Sequence, residues 1–199
     1  MGPGLLLALV AFVVRPIWSA PDLSAVADRA HGWTVFVVAT SGEYKASASG
    51  VLIQGGMVLT DLHGLLSQNP DGTVVPADIV VVVDGVGPLP AVLAGGDAVL
   101  GIAVLKLPDQ VRGLEGATIA SADPDVADEL VAMGTDGKNV DVLGVKVDHV
   151  DRERLHTNQT LPALFRGGPL FDANGDLAAL ELPAGAAAAS SVLRMLEQR

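Results

Sequence analysis

The chain has 199 residues, a formal net charge of −11 from 12 basic and 23 acidic side chains, and 50% hydrophobic residues. This length suits one ordinary domain or two fused half-size barrels, and the apolar content is sufficient for a buried core. The acidity, without any cluster of Lys or Arg, argues against nucleic acid or an anionic membrane surface as a partner. The chain contains no cysteine, which excludes a disulfide framework, a thiolate metal site and a cysteine nucleophile.

The first 21 residues have the composition of an export signal. The apolar run from Gly4 to Val14 suits the core of such a signal and is too short for a membrane span. Ala20 is the expected last residue of the leader, and the mature domain, residues 22–199, begins near residue 22. Two alternatives stay open, an uncleaved membrane-associated segment and a packed N-terminal element, because no basic residue precedes the run and Trp18 lies where a small residue is preferred.

Alternating apolar and β-branched residues predict a first barrel over about residues 30–110. Its expected strands are Trp33–Val38, Tyr44–Ile53, Met57–Thr60, Ile79–Val83, Val92–Ala94 and Ile102–Leu107. Gly55-Gly56 is expected to form a tight hairpin turn, since glycine readily adopts the positive φ that such turns need.

The second half predicts another barrel over about residues 125–185, after a linker from Pro108 to Asp128 that is rich in Asp, Gly and Pro. Its expected strands are Leu130–Met133, Leu143–His149, Pro169–Asp172 and Leu177–Leu182, with Asn174-Gly175 as a hairpin turn. Helical spacing of Val192, Leu193 and Leu196 predicts a C-terminal helix over about residues 186–198. The chain is therefore expected to be all-β, with two antiparallel barrels and one helix.

Several segments together resemble the trypsin-like serine proteases, most closely their HtrA-like bacterial branch. They occur in the family's order: Ala48–Ile53, Met57–Leu65, Gly101–Leu107, Leu155–Asn158 and Gly167–Leu170. The resemblance covers roughly residues 30–198 and implies two six-stranded-type antiparallel β-barrels with a C-terminal helix. Because bacterial members often lack disulfides, the absence of cysteine favours a bacterial source. Together with the predicted export signal, this leads us to expect a periplasmic or extracellular protein.

Only one of the three catalytic positions implied by the resemblance is retained. His63 matches the triad histidine, Gly101 replaces the aspartate and Arg166 replaces the serine. In the triad the serine attacks, the histidine takes its proton and the aspartate orients the histidine. A guanidinium stays protonated and cannot attack, and the expected oxyanion-hole residues are replaced by Leu164-Phe165. The sequence therefore predicts a catalytically inactive homologue that binds a peptide or protein in the former substrate cleft.

Two other hypotheses remain open, a diverged protease with relocated chemistry and a structural partner in an envelope complex. In a diverged protease, Asp97 or Asp61 would have to replace the orienting acid. Thr160, Ser190 and Ser191 are the hydroxyls that could replace the nucleophile, although none lies in a glycine-flanked loop.

Arg166 allows two interpretations. It is either the result of drift at a dispensable position, or a guanidinium that binds a carboxylate across the old cleft, next to Gly167 and Gly168. Asp61 and Asp97 could also pair with it from within the protein.

We expect no cofactor and no metal. Asp172–Asp176 fits a hairpin turn better than a calcium loop, because it lacks the required glycine and distal glutamate. The four histidines show no short ligand spacing, and the resemblance separates them across two barrels: His31, His63, His149 and His156.

Overall fold

The computed structural model describes residues 23–68, 74–76, 78–111, 113–151 and 154–198, and the predicted export signal lies outside them. Within these ranges the chain forms two closed antiparallel β-barrels of six strands each, a separate two-stranded sheet and two α-helices. The predicted all-β pair of barrels with a C-terminal helix is therefore confirmed.

The first barrel closes in the order β1-β2-β3-β8-β7-β6. Its strands are β1 (Thr34–Ser41), β2 (Tyr44–Ile53), β3 (Met57–Asp61), β6 (Asp78–Val83), β7 (Gly87–Asp97) and β8 (Ile102–Lys106). Between β3 and β6, the short strands β4 (Leu66–Gln68) and β5 (Val74–Pro76) pair only with each other. The chain segments after β3 and after β7 are the two parts of this barrel that carry predicted site residues.

The second barrel closes in the order β10-β11-β14-β13-β12-β9. Its strands are β9 (Glu129–Thr135), β10 (Val140–Asp151), β11 (Arg154–Thr157), β12 (Pro169–Phe171), β13 (Leu177–Leu180) and β14 (Ala186–Ala188). A 3₁₀ turn at Ala163–Phe165 lies between β11 and β12. This turn leads directly into the segment that resembles a nucleophile loop.

Side-chain alternation explains why these segments form barrel strands. In β6, Ile79, Val81 and Val83 are buried while Val80 points outward, as the two-residue period of a strand requires. Each barrel closes around its own apolar core. A third cluster joins residues of both barrels, including Val51, Leu59, Ile102, Met133 and Phe171. The two barrels therefore share an apolar interface.

Two helices flank the barrels, and both correct the sequence-based boundaries. Helix α1 (Leu23–Ala30) was not predicted, and helix α2 (Ala189–Glu197) begins three residues later than the predicted start near residue 186. The reason is that Ala186–Ala188 forms β14, which pairs with β11 and β13. Neither helix in the described ranges is long and apolar enough to cross a membrane.

The two predicted hairpin turns are confirmed. Gly55 and Gly56 join β2 to β3 with φ of +81° and +72°, values that glycine adopts at little cost. In the turn between β12 and β13, the Asp172 carboxylate accepts the backbone N–H groups of Asn174 and Asp176 at 2.8 and 2.9 Å. The acidic residues of this segment thus organise a turn.

Candidate functional site

Asp61, the last residue of β3, has a side chain that is 0% exposed. Its Oδ1 accepts hydrogen bonds from the backbone N–H and the ring Nδ1 of His63, both at 3.2 Å. Its Oδ2 accepts the backbone N–H of Gly64 at 3.1 Å, and Nε and Nη2 of Arg166 at 2.6 Å each. Because a buried carboxylate is stable only when it is paired and hydrogen-bonded, Asp61 is the centre that holds both side chains.

His63 is therefore oriented by an acid two residues before it in the chain. A hydrogen bond from Nδ1 to Asp61 places the proton of the neutral ring on Nδ1 and leaves Nε2 as an acceptor. The side chain of His63 is 62% exposed. Asp61, one of the two alternative acids considered from the sequence, thus makes the contact that Gly101 cannot make.

Gly101 packs directly against the imidazole of His63. A Cβ atom at this position would lie 2.8 Å from Cε1 and 3.0 Å from Nδ1 of that ring, and the residue has a φ of +82°. Its carbonyl accepts the backbone N–H of Leu62 at 2.8 Å. The glycine gives His63 the space for its present position, so a side chain at 101 and this position of His63 exclude each other.

Asp97, the other acid considered, has a different role. Its Oδ1 accepts the backbone N–H groups of Val99 and Leu100 at 2.8 and 2.9 Å, and its carbonyl accepts the N–H of Gly101 at 2.8 Å. These bonds close the turn between β7 and β8. The structure therefore assigns Asp97 to turn formation, and the hypothesis that it orients His63 is wrong.

The segment that resembles a nucleophile loop uses its backbone donors internally. The N–H of Phe165 donates to Pro162 O at 2.9 Å, that of Arg166 to Ala163 O at 3.2 Å and that of Gly168 to Phe165 O at 2.8 Å. The N–H of Gly167 donates to Glu181 O at 2.8 Å. An oxyanion hole needs such donors to be free and to converge on one point. Four consecutive N–H groups, from residue 165 to residue 168, are thus unavailable for that purpose.

The loop is also fixed from the first barrel. The backbone N–H of Ser49 donates to Arg166 O at 2.9 Å, and the Ser49 hydroxyl donates to Leu164 O at 2.7 Å. Gly167, with a φ of +76°, lies so close to β3 that a Cβ atom there would be 2.7 Å from Thr60 Oγ1. The backbone of Arg166 is thus hydrogen-bonded through both its N–H and its carbonyl. This fixes the direction in which its side chain leaves the backbone.

A second tie between the barrels supports the loop next to His63. Arg154, on β11, donates from Nη2 to the carbonyls of Leu100 and Val99 at 2.8 and 3.1 Å, and from Nη1 to Gly185 O at 3.0 Å. The guanidinium thus joins the loop before Gly101 to the second barrel. This contact spans 54 residues of sequence, and no local pattern predicts it.

Glu181 is a titratable residue next to the site that the sequence did not single out. It follows β13 directly, and its N–H donates to Gly168 O at 2.9 Å while its carbonyl accepts the N–H of Gly167. Burial raises the pKa of its carboxyl to about 7, because the charged form is poorly solvated there. The sequence signal that could have identified Glu181 is its negative charge, because the segment around it otherwise contains only Leu, Ala and Pro.

The structure does not bring the proposed replacement nucleophiles to His63. Thr160 is exposed in the segment after β11. Ser190 lies in the first turn of α2 and donates to the Asp123 carboxylate at 2.6 Å, while Ser191 is buried in the same helix. None of the three is a hydrogen-bond partner of His63.

The remaining histidines lie apart from the site. His31 contacts Asp84 at 3.4 Å, and His149 stacks on His156 with ring centroids 4.4 Å apart. In the part of the chain that the structure describes, no three His, Asp or Glu side chains come together as a metal site.

Two six-stranded barrels with a histidine and its orienting acid between them define the class of trypsin-like folds. A sequence profile described as "Trypsin-like peptidase domain" matches residues 48–180. The chain belongs to this family, and the predicted superfamily is confirmed. No curated protein sequence matches the chain.

Solved structures share the fold at low sequence identity. Deg5 superposes with a TM-score of 0.75 and 20% identity, over 87% of this chain and 91% of Deg5. The Rv3671c protease from M. tuberculosis, in its active form, gives a TM-score of 0.72 and 17% identity, over 96% of this chain and 93% of that protein. A serine endoprotease from Yersinia pestis gives 0.72 and 22%, over 89% of this chain and 66% of that one. At these identities the likeness concerns the fold.

Proposed function

We propose that the protein is a catalytically inactive homologue of the trypsin-like serine proteases and acts as an exported peptide- or protein-binding module. The observation that carries this proposal is the contact of Arg166 with Asp61, at 2.6 Å. It fills the position of the nucleophile with a cation and keeps that cation bound to the acid that orients His63.

The chemistry of acyl transfer supports the same conclusion. The reaction needs a hydroxyl opposite the histidine and donors for the oxyanion. Here Arg166 supplies no nucleophile, and the N–H groups of residues 165–168 are bonded within the protein. In subtilisin, loss of the serine alone lowers kcat by about 10⁶-fold. Two independent requirements of the reaction are therefore unmet.

Binding of an extended peptide does not share these requirements. A peptide that adds to an exposed strand edge is held by backbone hydrogen bonds and by pockets for alternate side chains. The shared apolar interface and the ties from Ser49 and Arg154 hold the two barrels in a fixed relation. A protein whose two barrels are held rigidly in this way loses little conformational entropy when a peptide binds between them.

The test combines a cleavage assay with an active-site probe. Purified full-length protein is incubated with casein and, separately, with a fluorophosphonate probe, beside an active trypsin-like protease as the positive control. We expect neither cleavage nor labelling. Casein cleavage that is lost in His63→Ala would overturn the proposal.

The retained Asp61–His63 pair favours one second candidate, a diverged serine endopeptidase with a relocated nucleophile. Its signature is fluorophosphonate labelling of the unaltered protein at a serine or threonine hydroxyl, located by peptide mapping. Labelling that persists in His63→Ala would be unspecific and would not support this candidate.

Export is tested separately. The full chain and a chain lacking residues 1–21 are expressed in a bacterial host, and the periplasmic fraction is probed for each. We expect only the full chain to reach the periplasm, in a shortened form whose N-terminus follows Ala20.

A further inference from the structure

We infer that the outward face of the Arg166–His63 pair is a receptor for a free carboxylate on an extended peptide. The inference rests on the proposed function, because it assumes a cleft that holds a peptide without cutting it. It names the ligand chemistry that this particular site selects, which the proposed function leaves open.

The polar side chains of the site differ in how far they are exposed to solvent. The Asp61 side chain is 0% exposed, whereas those of Arg166 and His63 are 40% and 62% exposed. A ligand in the cleft therefore meets the cation and the imidazole, while the carboxylate lies behind them. The exposed side of the site thus presents one cation, paired from behind with Asp61, on a chain whose formal net charge is −11.

Arg166 keeps hydrogen-bonding capacity after it has paired with Asp61. Its Nε and Nη2 both contact Oδ2 of Asp61, which uses one edge of the guanidinium. The guanidinium has five N–H donors in a planar fork, so Nη1 and the second N–H of Nη2 form another edge. Within the described ranges no protein acceptor contacts Nη1. Two parallel N–H groups on one edge match the two oxygens of a carboxylate.

His63 adds a second group to the same face. Its Nδ1 is bonded to Asp61, and its side chain is 62% exposed, so Nε2 is the ring nitrogen left for a ligand. Arg166 and His63 contact opposite oxygens of one carboxylate, which keeps the guanidinium and the imidazole close together.

Neighbouring acids do not occupy this receptor from within. Asp97 uses its carboxylate on the turn N–H groups of Val99 and Leu100. Glu181 is tied to Gly167 and Gly168 through its backbone, and the residues bonded to the guanidinium do not include it. The backbone of Arg166 is itself pinned by Ala163 O and by the N–H of Ser49. A fixed donor with an open edge loses little freedom when a ligand binds.

The test uses four short peptides that differ in one group. Acetyl-Ala-Ala-Ala with a free C-terminal carboxylate is compared with its C-terminal amide. Acetyl-Ala-Asp-Ala-amide is compared with acetyl-Ala-Asn-Ala-amide. Binding to the full-length protein is followed by the NMR shifts of the Arg166 Nε–H and the His63 ring protons. The first pair reports a peptide C-terminus and the second an acidic side chain.

We expect at least one carboxylate peptide to bind about tenfold more tightly than its neutral partner. Arg166→Lys keeps a cation for Asp61 but loses the fork, so the preference should fall to about twofold or less while the protein stays folded. Arg166→Gln should abolish the preference. Lys45→Gln, which removes an exposed cation from β2, is the matched control and should leave it unchanged.

Equal binding of carboxylate and neutral peptides would overturn this inference and leave the proposed function standing. The same holds for a carboxylate preference that survives in both Arg166 variants. Cleavage of the peptides would instead overturn the proposed function. Absence of any shift at Arg166 and His63 with all four peptides, up to the solubility limit, would also overturn the inference.

Discussion

Asp61 and Arg166 join the two barrels through a single carboxylate oxygen, Oδ2, which accepts both Nε and Nη2 at 2.6 Å. Asp61 ends β3 of the first barrel, and Arg166 precedes β12 of the second. The carboxylate is fully buried and the guanidinium is partly exposed. Arg166, which in our proposal stands at the position of the nucleophile, is thus also the counter-ion of the acid that contacts His63.

Truncation of Arg166 should destabilise the protein because it leaves the charge of Asp61 buried without its ion-pair partner. We expect Arg166→Met to lower the free energy of unfolding by about 2 to 3 kcal/mol, less than for a fully enclosed pair, since three hydrogen bonds to Asp61 remain. Urea unfolding measures this change.

A double-mutant cycle isolates the pair. Asp61→Asn, Arg166→Met and the double variant are unfolded under the same conditions. We expect the double variant to lose less than the sum of the single changes, with a coupling of about 1 to 3 kcal/mol. Additive losses would show that the contact contributes nothing to stability.

Gly101 should tolerate no side chain while His63 stays in place. Gly101→Ala puts a Cβ 2.8 Å from the ring and forces alanine to a φ of +82°, which we expect to cost about 2 to 3 kcal/mol. Gly42→Ala is the matched control, because Gly42 has a φ of +58° and open space around its Cβ position. A loss equal to that of the control would show that the ring moves away freely.

Restoring the serine alone should restore part of the reactivity. In Arg166→Ser, Asp61 and His63 are still present to activate the hydroxyl, and general-base catalysis contributes about 10² to 10⁴-fold. We expect fluorophosphonate labelling at least about tenfold faster than in the unaltered protein, and none of this gain in the His63→Ala, Arg166→Ser double variant.

Restoring the family's aspartate as well should not help. In Gly101→Asp, Arg166→Ser, the new side chain would occupy the space of the imidazole, so we expect slower labelling than in Arg166→Ser. Faster labelling in the double variant would show that the aspartate position, and not Asp61, is the effective acid.

The architecture of two barrels could be predicted, because two-residue alternation and paired glycines at turns are local signals, but β11 and β14 were not among the four strands expected in the second barrel. The late start of α2 was missed for the same reason, since the alanines of β14 have no strand preference of their own and form a strand by pairing with β11 and β13. Helix α1 was missed for a related reason: eight residues are too few for a clear helical period.

The site was predicted in part. The motif positions of His63, Gly101 and Arg166 follow from sequence order, and Asp61 was considered as an acid. The sequence could not decide between Asp61 and Asp97, because the choice depends on which carboxylate the β7–β8 turn uses for its own N–H groups. Glu181 was missed because nothing in its local sequence indicates that its carboxyl is buried.

Glu181 should make the stability of the protein depend on pH. Its pKa is raised from 4.5 to about 7 by burial, so between these values the folded state holds more protons than the unfolded state. The free energy of unfolding contributed by this group therefore falls as the pH rises from about 4.5 to about 7, and stays constant above that range.

Glu181→Gln, which cannot ionise, should be no more stable than the unaltered protein near pH 4.5 and more stable at pH 8. Glu43→Gln, at an exposed turn, controls for the loss of one carboxylate. Urea unfolding of the three proteins across this pH range measures the difference, and parallel curves for Glu181→Gln and the unaltered protein would show that the carboxyl is solvated in the folded state.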